Sequence, residues 1–107
     1  HMSQYPPVIR DVLSFISINY TQDIFLQELA DMNHVSEEHL SRLFKKELGV
    51  TLTTYIGDLR TKKAAELLKT SKLSIAEIAM YVGYSDSNYF VKVFKKRYGM
   101  TPSAYRR

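Results

Sequence analysis

The chain of 107 residues has no cysteine. That removes disulfide scaffolds, cysteine nucleophiles and thiolate metal sites, and it fits a reducing cytosol. No stretch approaches the ~20 apolar residues of a membrane-spanning helix, and no signal peptide is visible. No run alternates apolar and polar residues in the manner of a strand, which points to an all-α fold. Acidic residues are scarce beyond residue 38. Residues 1–38 carry one basic residue (Arg10) and six acids, a balance of −5, whereas residues 39–107 carry fourteen basic and five acidic residues, +9. A cationic two-thirds and a pI near 9.3 fit a polyanionic partner, most often nucleic acid, or simply a soluble basic surface. What is present is an ordinary globular composition: 45% of residues are apolar, too many for a disordered chain. The length bounds the answer to one domain, or two very small ones sharing a core. His1-Met2 has the look of a cloning scar and is set aside.

The chain repeats itself. Phe44-Lys45-Lys46 recurs as Phe94-Lys95-Lys96, Gly49 as Gly99, Thr51 as Thr101 and Tyr55 as Tyr105, all at an offset of 50. Leu29-Ala30 recurs as Ile78-Ala79 and Ser36 as Ser85 at an offset of 49, so one residue is inserted between Ser85 and Phe90. A fixed-offset repeat means one structural unit used twice.

Apolar spacing and capping residues predict seven helices. Pro6-Pro7 open a first helix over about 7–19, with Ile9, Val12, Leu13, Ile16 and Tyr20 on one stripe. A short second helix uses Leu26, Leu29, Ala30 and Met32. Asn33-His34-Val35 is a turn, and Ser36 caps a third helix over about 36–48 with Leu40, Leu43, Phe44 and Leu48 inward. Gly49 stops it as a left-handed residue, with Val50 packing back. The fourth helix, about 51–70, is the longest, with Leu52, Tyr55, Ile56, Leu59, Ala64, Leu67 and Leu68 inward. Gly57 costs it roughly 1 kcal/mol relative to alanine. Ser74 caps a fifth helix over about 75–82, and Val82-Gly83-Tyr84 is the second turn. Ser85 or Asp86 opens a sixth over about 86–98, with Phe90, Val93, Phe94 and Tyr98 inward. Gly99 stops it, and Thr101-Pro102 starts a short seventh. The expected organisation is a first unit over 7–50, a linker helix over 51–70 and a second unit over 71–107.

A short helix, a tight turn and a second helix make a helix-turn-helix, unless each pair is an ordinary helical hairpin; two copies with matching stops and caps favour the former. The turn needs a residue tolerant of positive φ. Gly83 supplies one, and His34 holds that place in the first copy, histidine being enriched there among non-glycine residues. The second helix of such a motif can enter the DNA major groove, about 12 Å wide. Removing the inward residues leaves Glu37, Glu38, Ser41, Arg42, Lys45 and Lys46 on the third helix, and Ser87, Asn88, Tyr89, Lys92, Lys95 and Lys96 on the sixth. Arginine can grip guanine O6 and N7 with two bonds, and asparagine adenine N6 and N7. The four lysines suit phosphates, or equally the negative helix C-terminus. Glu37 and Glu38 are dipole-stabilised helix-start residues, unwelcome near phosphate unless one reads a cytosine amine. About 20 residues of linker helix span roughly 30 Å, close to the ~34 Å turn of B-DNA. Two direct, non-identical copies on one rod should read an asymmetric site in successive grooves.

The second copy runs Ile75-Ala76-Glu77-Ile78-Ala79, Val82-Gly83-Tyr84-Ser85-Asp86, Tyr89-Phe90, Val93-Phe94-Lys95-Lys96, Tyr98-Gly99 and Thr101-Pro102-Ser103-Ala104-Tyr105-Arg106. The first runs Leu29-Ala30, Ser36, His39-Leu40-Ser41-Arg42-Leu43-Phe44-Lys45-Lys46 and Gly49, and the linker Tyr55-Ile56, Leu59-Arg60, Ala64 and Leu67-Leu68. These strings resemble the DNA-binding domain of AraC/XylS-type bacterial transcription regulators over about 7–107. The resemblance implies a cytoplasmic bacterial protein with two helix-turn-helix subdomains that binds double-stranded promoter DNA and often bends it. It places base reading on Glu38, Ser41 and Arg42 in the first copy and on Asn88, Tyr89 and Lys92 in the second. Phosphate contacts are expected at Ser36, Lys45, Lys46, Ser87, Lys95 and Lys96. His34, where glycine or asparagine is commoner, and the acid at Glu38 depart from the family pattern. Such domains usually accompany a sensing, dimerisation or receiver domain, so the chain reads as a C-terminal piece of a longer regulator.

Other readings have less behind them. His34 and His39 straddle a turn without cysteines or nearby carboxylates, poor geometry for zinc. Ser41 has no evident His-Asp partners. No cofactor, metal or catalytic residue is expected. Family members fused to DNA-repair functions need reactive cysteines. Tyr20, Tyr55, Tyr81, Tyr84, Tyr98 and Tyr105 read as core or interface aromatics. The alternative from another class is a protein-interaction module, its acidic faces docking RNA polymerase or a regulatory domain.

Overall fold

A computed structural model describes residues 4–107; His1-Met2 lies outside them. The described residues form seven helices and no strand: α1 Pro7–Asn19, α2 Leu26–Met32, α3 Glu37–Leu48, α4 Leu52–Thr70, α5 Ile75–Val82, α6 Ser87–Tyr98 and α7 Pro102–Arg106. Where the helix starts fall one residue later than the sequence reading, the residue before is the cap: Ser36, Thr51 and Asp86 stand just outside the helices they open. The chain divides into two compact units, one ending at Ile56 and the other running Gly57–Arg107. The division falls inside α4, so the helix read as a linker contributes its first residues to one unit and the rest to the other.

In the first unit, Ile9, Val12, Leu13 and Ile16 of α1, Leu29 and Ala30 of α2, Leu40 and Phe44 of α3 and Ile56 of α4 are buried. This is the stripe expected from period 3.6. Phe44 meets Tyr55 edge to face at 5.5 Å between centroids, tying α3 to the start of α4. Burying a phenylalanine of this kind contributes about 1.5–3 kcal/mol. Met32, grouped with the inward residues of α2, is instead exposed: it falls off the stripe that Leu29 and Ala30 define.

The second unit packs Ala64, Ala65 and Leu68 of α4 against Ile78, Ala79 and Val82 of α5 and Phe90 and Phe94 of α6, with Tyr84 from the turn. Its aromatics form a chain: Phe94 stacks on Tyr98 at 4.6 Å, and both meet Tyr105 of α7 edge-on at 5.5 Å. Arg106 holds α7 to the end of α4 by donating to the carbonyl of Leu68 (3.0 Å) and that of Ser71 (3.3 Å). The Leu68 carbonyl, in the last turn of α4, lacks an intrahelical partner, so one side chain both satisfies it and docks a helix. Tyr81, grouped with the core or interface aromatics, is exposed at 57%. It neighbours the buried Val82 but points off the α5 stripe. Thr61 is fully buried, which the polar class of the residue hid. Its hydroxyl donates to the Gly57 carbonyl of its own helix at 2.8 Å, so it enters the core without an unmet hydrogen bond.

Two local features carry measurable consequences. A methyl group added at Gly57 would sit 3.6 Å from the Tyr84 hydroxyl and 3.7 Å from Val93 Cγ1, ordinary van der Waals contacts. Gly57→Ala is therefore expected to raise unfolding stability by about 0.5–1 kcal/mol. Gly99 is different: open space surrounds it, but its φ is +77°, so Gly99→Ala is expected to cost about 1 kcal/mol from backbone strain alone. Chemical denaturation of the pair checks both signs. At α5, Ser74 and Glu77 form a reciprocal capping box. The Ser74 backbone N–H donates to the Glu77 carboxylate at 2.8 Å, and this bond, helped by the Ser74 side chain, holds the Glu77 pKa below its usual value. The folded value being the lower one, the contribution is complete above the ordinary glutamate range and is lost as pH falls through the lowered value. Glu77→Gln should flatten that part of the acid limb in a stability–pH profile.

Candidate nucleic-acid interface

Each unit has one turn that aims one helix. After α2, the Asn33 side chain donates to the Leu29 carbonyl at 2.9 Å. His34 then takes a φ of 57°, and Val35 N–H returns to the Ala30 carbonyl at 3.0 Å. After α5, Gly83 takes a φ of 112°, and Tyr84 N–H returns to the Ala79 carbonyl at 2.8 Å. A left-handed residue lets the next N–H fold back onto a helix-end carbonyl. The sequence assignment of His34 and Gly83 to this role holds. A left-handed L-residue costs roughly 1–2 kcal/mol, which the first unit carries at His34.

The caps fix the register of the repeat. Ser36 Oγ accepts the His39 N–H at 3.0 Å. In the second unit the cap is Asp86, whose Oδ1 accepts from Asn88 N–H (2.9 Å) and Tyr89 N–H (3.4 Å). The matching of Ser36 with Ser85 is thus corrected: the equivalent residue is Asp86, and the extra residue is Ser85, inside the turn. The offset is 49 as far as the returning N–H groups of Val35 and Tyr84 and 50 from the caps onward. Along α3 and α6 the equivalent pairs are Glu38 and Asn88, His39 and Tyr89, Ser41 and Val91, Arg42 and Lys92, Lys45 and Lys95, and Lys46 and Lys96.

On α3, Glu38, Ser41 and Arg42 are all exposed. With Leu26 and Glu37 they line one shallow depression of about 340 Å³. Arg42 Nη1 lies 3.5 Å from Glu38 Oε2, with the two side chains 75% and 84% exposed. An exposed i,i+4 pair of this kind contributes only about 0.3–0.5 kcal/mol. On α6, Asn88, Tyr89 and Lys92 are exposed. The Tyr89 ring is propped edge-on by Tyr84 at 5.8 Å. Tyr84 is itself buried beneath the Arg60 guanidinium, 5.0 Å from its ring. Burial raises the Tyr84 hydroxyl pKa, against the opposing effect of Arg60.

Lys45, Lys46, Lys95 and Lys96 are exposed in the last turns of their helices. The two serines assigned to phosphates are less free. Ser36 is exposed but its hydroxyl oxygen serves the cap, and Ser87 is half-buried. Arg97, which the sequence reading passed over, is drawn to Asp58 at 3.2 Å. In the sequence His39 stands out chiefly through its spacing from His34. It is exposed on α3 at the place Tyr89 holds on α6, a likeness that the offset of 50 already contained. Among the described residues, no three His, Cys, Asp or Glu side chains are grouped to hold a metal ion. No helix among them is long and apolar enough to cross a membrane.

The faces differ in charge. α3 carries Glu37, Glu38 and Glu47 against Arg42, Lys45 and Lys46, whereas α6 carries Lys92, Lys95, Lys96 and Arg97 and no acid.

Residues 29–107 match the pattern of a family described as a helix-turn-helix domain. The bifunctional transcriptional activator/DNA repair enzyme AdaA of Bacillus subtilis is 38% identical over 95 residues, 89% of this chain and 45% of that protein. The HTH-type transcriptional activator RhaR of Mannheimia succiniciproducens is 34% identical over 98 residues, 92% of this chain and 36% of its own length. The chain thus spans less than half of either relative. The C-terminal domain of AraT, a response regulator from Geobacillus stearothermophilus, superposes with a TM-score of 0.90 at 40% identity, covering 95% of this chain and 85% of that domain.

The corrected register has a direct check. Asp86→Ala is expected to cost about 1 kcal/mol of stability through loss of the α6 cap, whereas Ser85→Ala should stay within about 0.5 kcal/mol. The reverse pattern in denaturant titration, a loss at Ser85→Ala and little at Asp86→Ala, would return the cap to Ser85.

Proposed function

Because the chain belongs to the AraC-type helix-turn-helix family of transcription regulators, we propose that α3 and α6 enter successive major grooves of double-stranded promoter DNA and read an asymmetric site there. The observation that carries this reading is the pair of turns. Each holds a twelve-residue helix with its second and sixth residues on one open face: Glu38 and Arg42 on α3, Asn88 and Lys92 on α6. A helix fits the major groove, and these side chains have the donor and acceptor patterns that distinguish base edges there. Arg42 takes guanine O6 and N7, Asn88 takes adenine N6 and N7, and Ser41, Tyr89 and Lys92 complete the reading set. Lys45, Lys46, Lys95 and Lys96 hold phosphates, with Ser36 and Ser87 near the helix N-termini that favour anions.

The domain acts by binding, without a cofactor or a chemical step. Its relatives are longer proteins, and a sensing or receiver domain preceding these residues is the natural source of regulation. RNA polymerase is the partner through which a promoter-bound domain would act. Such a protein works in the bacterial cytoplasm, where the chromosome lies.

Duplex affinity should fall steeply as salt rises, because phosphate contacts release counterions. In gel-shift titrations, Arg42→Ala and Lys92→Ala should each relax preference at a different base pair, at a cost of about 1–3 kcal/mol on the selected site. Lys95→Ala should weaken all duplexes alike and lower the salt slope by about one. No duplex binding at low salt would overturn the reading.

A further inference from the structure

The first unit brings an acid to its reading face, and the second does not. Glu38 and Asn88 are the same position once the register is set by the caps, each the second residue of its helix. Each stands one helical turn before a basic residue, Arg42 or Lys92, so the pair shares one face. On α3 the pair is charge-neutral and closed on itself: Glu38 and Arg42 lie 3.5 Å apart although both are largely open to solvent. The whole of α3 is also balanced, with three acids against three bases, while α6 has four bases and no acid.

A carboxylate on a groove-facing surface repels phosphate and occupies the guanidinium that would otherwise bind it. At most duplex positions that is a net loss. It turns favourable only where a base edge donates to the carboxylate while another accepts from the arginine. Cytosine N4 is the major-groove donor suited to Glu or Asp, and guanine O6 and N7 are the acceptors suited to Arg.

Building on the DNA-binding reading above, we propose that Glu38 is a specificity-determining residue that works largely by exclusion. Its carboxylate neutralises Arg42 against the DNA backbone and admits α3 to the groove where a cytosine amine stands beside a guanine. Both helices still read bases, and the first adds this exclusion to its reading. The second unit, with its unopposed lysines, supplies most of the sequence-independent attraction.

The test uses this chain with Glu38→Ala, Glu38→Gln and Asn88→Glu. A site is first selected with the unaltered chain from a random duplex library, and each variant is then titrated on that site, on single-base-pair variants of it and on random duplex. Glu38→Ala is expected to bind random duplex several-fold tighter and to lose about tenfold in discrimination at one C·G pair. Glu38→Gln should show the same gain on random duplex, since it removes the charge and keeps the shape. Asn88→Glu should weaken random-duplex binding several-fold. Unchanged discrimination in Glu38→Ala would overturn the proposal. So would an even loss across all duplexes, which would make Glu38 a structural support of α3; a thermal melt of each variant separates this from unfolding. If the unaltered chain binds no duplex, the DNA-binding reading itself fails, and that outcome is visible before any variant is made.

Discussion

The arrangement of each unit depends on one backbone constraint, a left-handed residue between two helices. At His34 and at Gly83 the chain reverses so that the next N–H meets a carbonyl of the helix just ended. That bond ends one helix and fixes where the next begins, and the cap at Ser36 or Asp86 then starts it. Packing follows from this geometry. Leu40 and Phe44 in the first unit, and Phe90 and Phe94 in the second, are buried because the turn directs those faces inward. The opposite faces are left to solvent, and they hold the residues proposed above to distinguish bases. That glycine serves in one unit and histidine in the other shows that the turn, rather than the residue, is what the repeat preserves.

Equivalent scaffolds carry unequal surfaces. α6 is a uniformly basic helix with a braced aromatic, Tyr89, held edge-on by the buried Tyr84. α3 is balanced in charge, with its arginine already paired. Long-range attraction to a polyanion depends on net charge, whereas discrimination depends on donors and acceptors that fail when misplaced. On the proposed reading, the two helices take different shares of the same task. Family membership speaks to the scaffold; the charges on each face are read from this chain's own residues.

Most of the fold could be read from the sequence because its signals are local. Serine and threonine caps, glycine stops and a 3.6-residue apolar period each act within a few residues, and together they located all seven helices. Even the positive φ at His34 followed from what a turn at that point requires. What escaped was set by contacts distant in sequence or by hydrogen bonds that residue type does not reveal. Thr61 is buried because it bonds its own helix, and Met32 and Tyr81 face outward because their helices turn other faces to the core. The cap at Asp86 in place of Ser85 depended on which side chain reaches the first turn of α6. In the candidate site, the exposed faces were legible as what remained after subtracting the core. The Glu38–Arg42 pairing and the bracing of Tyr89 were not, since both depend on side-chain conformation.

Each of the two turn-held helices is proposed to read a major groove. Methylation interference at guanine N7 on a selected duplex checks this, because that atom lies in the major groove and is an acceptor suited to arginine and lysine alike, here Arg42 and Lys92. Two separate patches of interference are expected, with the Arg42→Ala protein losing sensitivity in one and the Lys92→Ala protein in the other. A single patch affected by both substitutions, or binding indifferent to N7 methylation throughout, would contradict it.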